Sequence, residues 1–465
     1  MALRISPHRQ WRAPTFRRQT TYDSTSRATP VTDSHNTAAV TTLLGQLQRG
    51  RGDGFREAIS SGRAAHDALL RCIVDDPRHD HQDEARERYY AELVVELDLS
   101  LEPIVEHLHG QESALGHGVL AGAWRLGHAP TRRLLTRPRT DKWLVEGIAL
   151  QLWNFGWARL VELDGVAKHA FLRAAVQGAF CVEAARRQLN EPLAQNKSLD
   201  DLLELGRQMP KKQQWAIVEE LCRRGTEEDR EFLEQVVQQD FVYARVMLAA
   251  QALGTLGDER LLPTIEEQFA QEDVLDDPLR RLQAHDRMRR SALSEYVKHL
   301  PPDRQLELAR SWHGRGAFFS TMASDIYGTR ATPDDRETIE AAIEQAGADC
   351  IGHEILNKLI ALGRIGDPRS APLLLQVVEQ AVFSTARQRA LQALAGMPQV
   401  AGVQAAIRES LWDCEDAAVA GACGGLVVLD NDATQRIRNL ADCPLLDEVS
   451  REHASIRLAD KQQSI

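Results

Sequence analysis

The chain has 465 residues, a formal net charge of −11 and only 5% aromatic residues. The charge argues against a general nucleic-acid binder, which needs a cationic face to neutralise phosphate. Scarce aromatics with plentiful Ala, Leu, Glu, Gln and Arg argue for helix over sheet. These side chains lose little entropy in a helix, whereas strands favour β-branched and aromatic residues.

Residues 1–36 differ from the rest of the chain. Up to Arg27 they carry Arg4, Arg9, Arg12, Arg17, Arg18 and Arg27 against the single acid Asp23, then Ser, Thr and Pro without hydrophobic periodicity. They are read as a disordered basic arm. A transit peptide has a similar composition, but no apolar core of a secretory signal is present. From residue 37 the pattern is helix, short turn, helix. Arg51-Gly52-Asp53 lies in a Gly-rich stretch and reads as an ordinary turn. Asp75-Asp76-Pro77, with His79, Asp80, His81, Asp83 and Glu84 after it, reads as a solvated loop. Two histidines two apart on such a loop lack the fixed geometry of a metal site. His107, His109, Glu112 and His117 are set aside likewise, since positions i and i+2 point to different helix faces.

Cap signals mark further helix starts at Ser198-Leu199-Asp200-Asp201, Thr226-Glu227-Glu228-Asp229 and Thr332-Pro333-Asp334-Asp335. The stretch 187–213 reads as a break between two blocks, 37–225 and 226–465. In 279–297, read as one helix, Arg280, Arg287 and Arg290 fall on one face. They are the candidate partner-binding residues, since such a stripe suits acidic peptides or phosphates. The bland alternative is a solvated face balancing Asp276, Asp277 and Asp286.

The clearest unit begins at Glu354. Leu356, Leu359, Ile360 and Gly363 share one helix face. Gly366 permits a left-handed exit, Asp367 can cap the next helix, and Pro368 sits where a missing N–H costs nothing. Leu373, Leu374, Val377, Val378 and Ala381 then mark a second apolar face. Ala361-Leu362-Gly363-Arg364-Ile365-Gly366-Asp367 matches Ala252-Leu253-Gly254-Thr255-Leu256-Gly257-Asp258, with Pro372 and Pro263 at the same offset. Weaker copies start at Ala393 and Gly425, and an earlier one spans Gly122 to His128. A period in the thirties with a helix pair per unit is a solenoid signature.

Residues 252–265 and 361–374 resemble the short prokaryotic HEAT-like repeats, the type also found in phycobilin lyases. The resemblance implies an all-α superhelix, a HEAT-like solenoid of antiparallel helix pairs. It implies no single function, because the same scaffold hosts many. Gly352-His353-Glu354 is similar to the His-Glu dyads of deoxyhypusine hydroxylase, an iron-dependent HEAT-repeat enzyme. That family has four dyads, each closer to its Leu-Gly; this chain has one, so the reading is rejected. A HEAT-like DNA glycosylase for alkylated bases would use a cationic groove with Trp and a carboxylate. Trp143, Trp153, Trp157 and Asp164 beside Arg132, Arg133, Arg137, Arg139 and Lys142 offer those types. Trp153 and Trp157 at i and i+4 fit a core stripe equally well, and the overall charge opposes this reading. A bilin lyase-like role rests on the repeat alone.

Arg outnumbers Lys 48 to 8, the mark of a GC-rich, bacterial genome. Cys72, Cys181, Cys222, Cys350, Cys414, Cys423 and Cys443 lie far apart, as free thiols of a reducing compartment do. The longest apolar run, Ala417 to Leu429, has 13 residues and three glycines. It is too short to span a bilayer, which takes about 20 residues, and reads as a buried helix. The expectation is therefore a cytoplasmic scaffold or adaptor, without cofactor or metal. It would hold a protein partner, not nucleic acid or a membrane, on a concave face lined by the second helices of successive pairs.

Overall fold

The structure is a computed structural model that describes residues 37–78, 80, 84–110, 113–136, 142–154, 198–209, 211–270, 284–347 and 353–463. All regular elements among the described residues are helices. The basic arm at 1–36 and residues 187–197 and 210 of the 187–213 break lie outside them. So do His79, His81, Asp83, Glu112, Trp157, Asp164, Arg137, Arg139, Cys181, Arg280, Cys350 and Gly352.

The strongest repeat forms as its residues dictate. The helix His353–Ile365 ends at Gly366 with φ of 68°. Asp367 accepts the N–H of Arg369 at 2.9 Å. A single 3-10 turn, Pro368–Ser370, then leads into the helix Ala371–Gln380. The same turn recurs earlier. Tyr243–Thr255 exits through Gly257 at φ 66°, and Asp258 accepts the N–H of Arg260 at 3.0 Å before Leu262–Ala270. The weaker copies are helix pairs too: Ala114–Arg125 with Ala129–Thr136, Ser384–Leu394 with Val403–Glu409, and Asp416–Gly425 with Asn431–Ala441. Ser198 with Asp201, Thr226 with Asp229 and Thr332 with Asp335 form reciprocal capping boxes, each satisfying two orphan N–H groups.

The first helices of successive pairs pack against one another through small residues. Gly363 sits so close to the next first helix that a Cβ would lie 2.8 Å from Ala393 Cα. Gly328 meets Asn357 and Gly254 meets the Tyr296 carbonyl of the helix Ala284–His299 in the same way. Gly118 meets Glu87, and Gly147 meets His117. Each contact joins two first helices. The first helices thus form one closely packed row along the described part of the stack. Helix backbones approach this closely only where a side chain is absent.

Three local expectations are corrected. The 75–84 stretch is not simply a solvated loop, since Arg78 and Glu84 are buried in it. The Ala417–Leu429 run is not one buried helix: Asp416–Gly425 ends at Gly425, and Val427 and Val428 stand 66% and 75% exposed. The helix containing Arg287 and Arg290 is described from Ala284 and runs on to His299, past the expected end at 297.

Candidate functional site

The residues from Thr37 to Ile465 form one compact unit, and its first and last helices meet in a polar seam. The helix Leu43–Arg49 is closed by Gly50, at φ 66°. Any Cβ there would lie 2.5 Å from Cys414 Sγ, so glycine is required by both the backbone and the neighbour. The Cys414 N–H donates to the Gly50 carbonyl at 3.1 Å. Arg51, between Leu43–Arg49 and Gly52–Ser61, forks onto Glu409 with bonds of 2.9 and 2.8 Å and reaches the Glu379 carbonyl at 3.1 Å. The tripeptide read as an ordinary turn thus anchors one end of the chain to the other.

Deeper in the seam lies the helix Glu87–Glu96, buried from Glu87 through Val94 although it carries three charged side chains there. Each charge has partners. Arg88 reaches Asp416 (2.7 Å), Glu92 (2.9 Å) and the carbonyls of Asp413 (2.7 Å) and Cys414 (3.1 Å). Glu92 also accepts from Arg436 at 2.9 Å. Glu87 accepts from Arg78 at 2.6 Å, and Arg78 clasps Asp76 at 2.7 Å. Tyr89 and Tyr90 send their hydroxyls to the carbonyls of Arg51 (2.7 Å) and Leu47 (2.9 Å).

Arg86, 1% exposed, is the centre of the seam. It donates to Glu84 (3.0 Å), Ser384 Oγ (2.9 Å) and Cys414 Sγ (2.9 Å), and lies 3.5 Å from Glu415. Arg387 forks onto Asp413 at 2.8 and 3.0 Å. Burial pushes the Glu92 and Asp413 carboxyls up, but Arg436 and Arg88 for the first, and Arg387 for the second, outweigh it and hold both below their ordinary values. Glu415 differs: burial outweighs Arg86 and lifts it to about 7. Burial also pushes the Cys414 thiol up, so it is no activated nucleophile.

Of the expected arginine stripe, only the Arg290 side chain lies among the described residues. Arg280 is outside the described residues, as is the side chain of Arg287. Arg290 lies over the Phe269 ring, 5.5 Å from its centre, on the adjacent Leu262–Ala270 helix. His117 is a core histidine, its Nδ1 2.8 Å from the Ser113 carbonyl. His109 is exposed at the end of Glu102–Gly110. No group of His, Cys, Asp and Glu among the described residues is arranged to hold a metal. Arg132 stacks on Trp124 at 6.0 Å.

Outside the seam, periodicity gave no hint of an apolar patch at the start of the first helix Tyr243–Thr255. Phe241 is 77% exposed, Tyr243 49% and Val242 39%. Further along, the first helices carry a polar ladder: Gln251 donates to Glu295 at 3.1 Å, Lys298 lies 3.9 Å from Asp325, and Asn357 donates to Asp325. No helix among the described residues is long and apolar enough to cross a membrane.

A family model described as the PBS lyase HEAT-like repeat matches residues 359–380. No curated protein and no solved structure matches the chain. The matched residues are the end of His353–Ile365, the Gly366-Asp367 turn and the Ala371–Gln380 helix. The chain thus carries a HEAT-like repeat of this type within an all-helical array of packed pairs.

Proposed function

We propose that the chain is a cytoplasmic, bacterial scaffold that binds a protein partner along the row of first helices. One observation carries this reading: in a chain with only 5% aromatic residues, Phe241 and Tyr243 stand exposed with Val242 at the start of a first helix. Exposed aromatic clusters mark interfaces, because their burial against a partner supplies most of the affinity. The polar ladder from Gln251 to Asn357 supplies a rim that fixes register without much net energy. Buried free thiols at Cys72, Cys414, Cys423 and Cys443 fit a reducing compartment.

The test compares the full chain with Phe241→Ala/Tyr243→Ala as bait in extracts of the source organism. Proteins captured by the parent chain are expected to drop about tenfold or more with the variant, as loss of two anchors of about 1–2 kcal/mol each implies. Equal capture by both baits would refute the patch as the anchor. A Val449→Ala bait, altered at an exposed residue elsewhere, should behave as the parent.

A further inference from the structure

We propose that the seam is a proton-operated latch. Glu415 is held as a carboxylic acid between Ser384 and the Glu84–Arg86 segment, and losing that proton releases the first helices from the last.

Ser384 Oγ accepts from Arg86 Nη1 at 2.9 Å and also contacts two carboxyl oxygens, Glu84 Oε1 at 3.1 Å and Glu415 Oε1. A hydroxyl has one proton to give. If it goes to one carboxylate, the other contact is a hydrogen bond only when that carboxyl brings its own proton.

The surroundings decide which one does. Glu84 accepts from Arg86 Nη2 at 3.0 Å, from the Ser384 N–H at 3.0 Å and from the Asp80 N–H at 3.1 Å. That set of donors matches an anion. Among the described residues Glu415 has, besides the hydroxyl, the Ala85 N–H at 3.3 Å and the weakly donating Cys414 thiol at 3.8 Å, with Arg86 at 3.5 Å. The charged and titratable groups facing it are Arg86 and Glu84 from the first block, Arg387 from the helix Ser384–Leu394, and Asp413 and Cys414 from its own segment. Arg387 is already committed to Asp413, and Arg86 is shared with Glu84. Glu415 is therefore the acid of the pair, and its displacement to about 7 agrees.

A carboxyl whose folded pKa lies above its ordinary value of 4.5 stabilises the closed form fully below that value. The contribution is lost as pH rises through about 7. The deprotonated state places two carboxylates on one buried hydroxyl, across the joint between residues 84–96 and 384–416. An opening that exposes Glu415 should become about tenfold more frequent between about pH 6 and about pH 8.

Amide hydrogen exchange on the full chain tests this. After correction for the chemical rate, protection of the Glu87–Glu96 and Ser384–Leu394 segments should fall about tenfold over that range, while Ala317–Arg330 stays constant. Glu415→Gln, which keeps the shape and a donor without a titratable proton, should abolish the fall. Absence of the fall in the parent chain, or its persistence in Glu415→Gln, would overturn the latch. Infrared spectroscopy of the parent chain gives a check that does not depend on the variant folding. A protonated-carboxyl C=O band should be present at about pH 6 and vanish by about pH 8, and its absence at the lower pH would equally overturn the proposal.

Discussion

Replacing Arg387 by Met removes a cation that forks onto Asp413 at 2.8 and 3.0 Å, with both side chains almost wholly buried. Met fills much of the same volume, so the main loss is electrostatic. Asp413 would remain buried, keeping the Glu415 N–H at 3.0 Å but without its compensating charge. Breaking one partner of a buried pair costs about 3–5 kcal/mol, because the orphaned charge must be desolvated or protonated. Arg387→Met/Asp413→Asn removes the orphaned charge as well and should recover about half of the loss. The assay is the opening free energy of the Ser384–Leu394 and Glu87–Glu96 segments by amide exchange, which resolves the seam from the rest of the array. Arg207→Met, which removes an exposed partner of Glu204, is the control and should leave exchange unchanged. A loss below about 1 kcal/mol for Arg387→Met, or no recovery in the double variant, would refute the view that paired charge holds the seam.

The same geometry sets two further expectations. Gly363→Val should destabilise by about 1–3 kcal/mol, since a Cβ would sit 2.8 Å from Ala393 in the next first helix. Gly421→Ala, at an exposed helical glycine with nothing within 4 Å, should instead stabilise by up to about 1 kcal/mol; thermal melts of the two variants should shift in opposite directions. On the acid side, Glu92 and Asp413 are held below their ordinary values, so their contribution is complete above those values and lost as pH falls below them. Seam protection should therefore fall in acid as well as when pH rises through about 7. Exchange that stayed flat below about pH 4 would contradict those two assignments.

The helices, their caps and the repeat were legible in the sequence because the interactions that set them are local. Gly366, Asp367 and Pro368 act within a few residues of one another, and a helix face is set by neighbours three and four positions away. The same locality explains what the sequence could not show. Arg51 meets Glu409, Arg88 meets Asp416 and Arg436 meets Glu92 across more than three hundred residues. In Arg86-Glu87-Arg88-Tyr89-Tyr90, periodicity gives no reason to bury three charges together. Docking of the last helices adds Asp416 to Arg88 and brings Glu415 and Ser384 to Arg86, beside the local partners Glu84, Glu92 and Arg78. The close row of first helices was likewise a tertiary matter. Gly254, Gly328 and Gly363 look like ordinary small residues in a helical pattern until the neighbouring helix arrives against them. Long-range packing settled which helices meet at these glycines, and which buried acid lacks the donors to stay ionised.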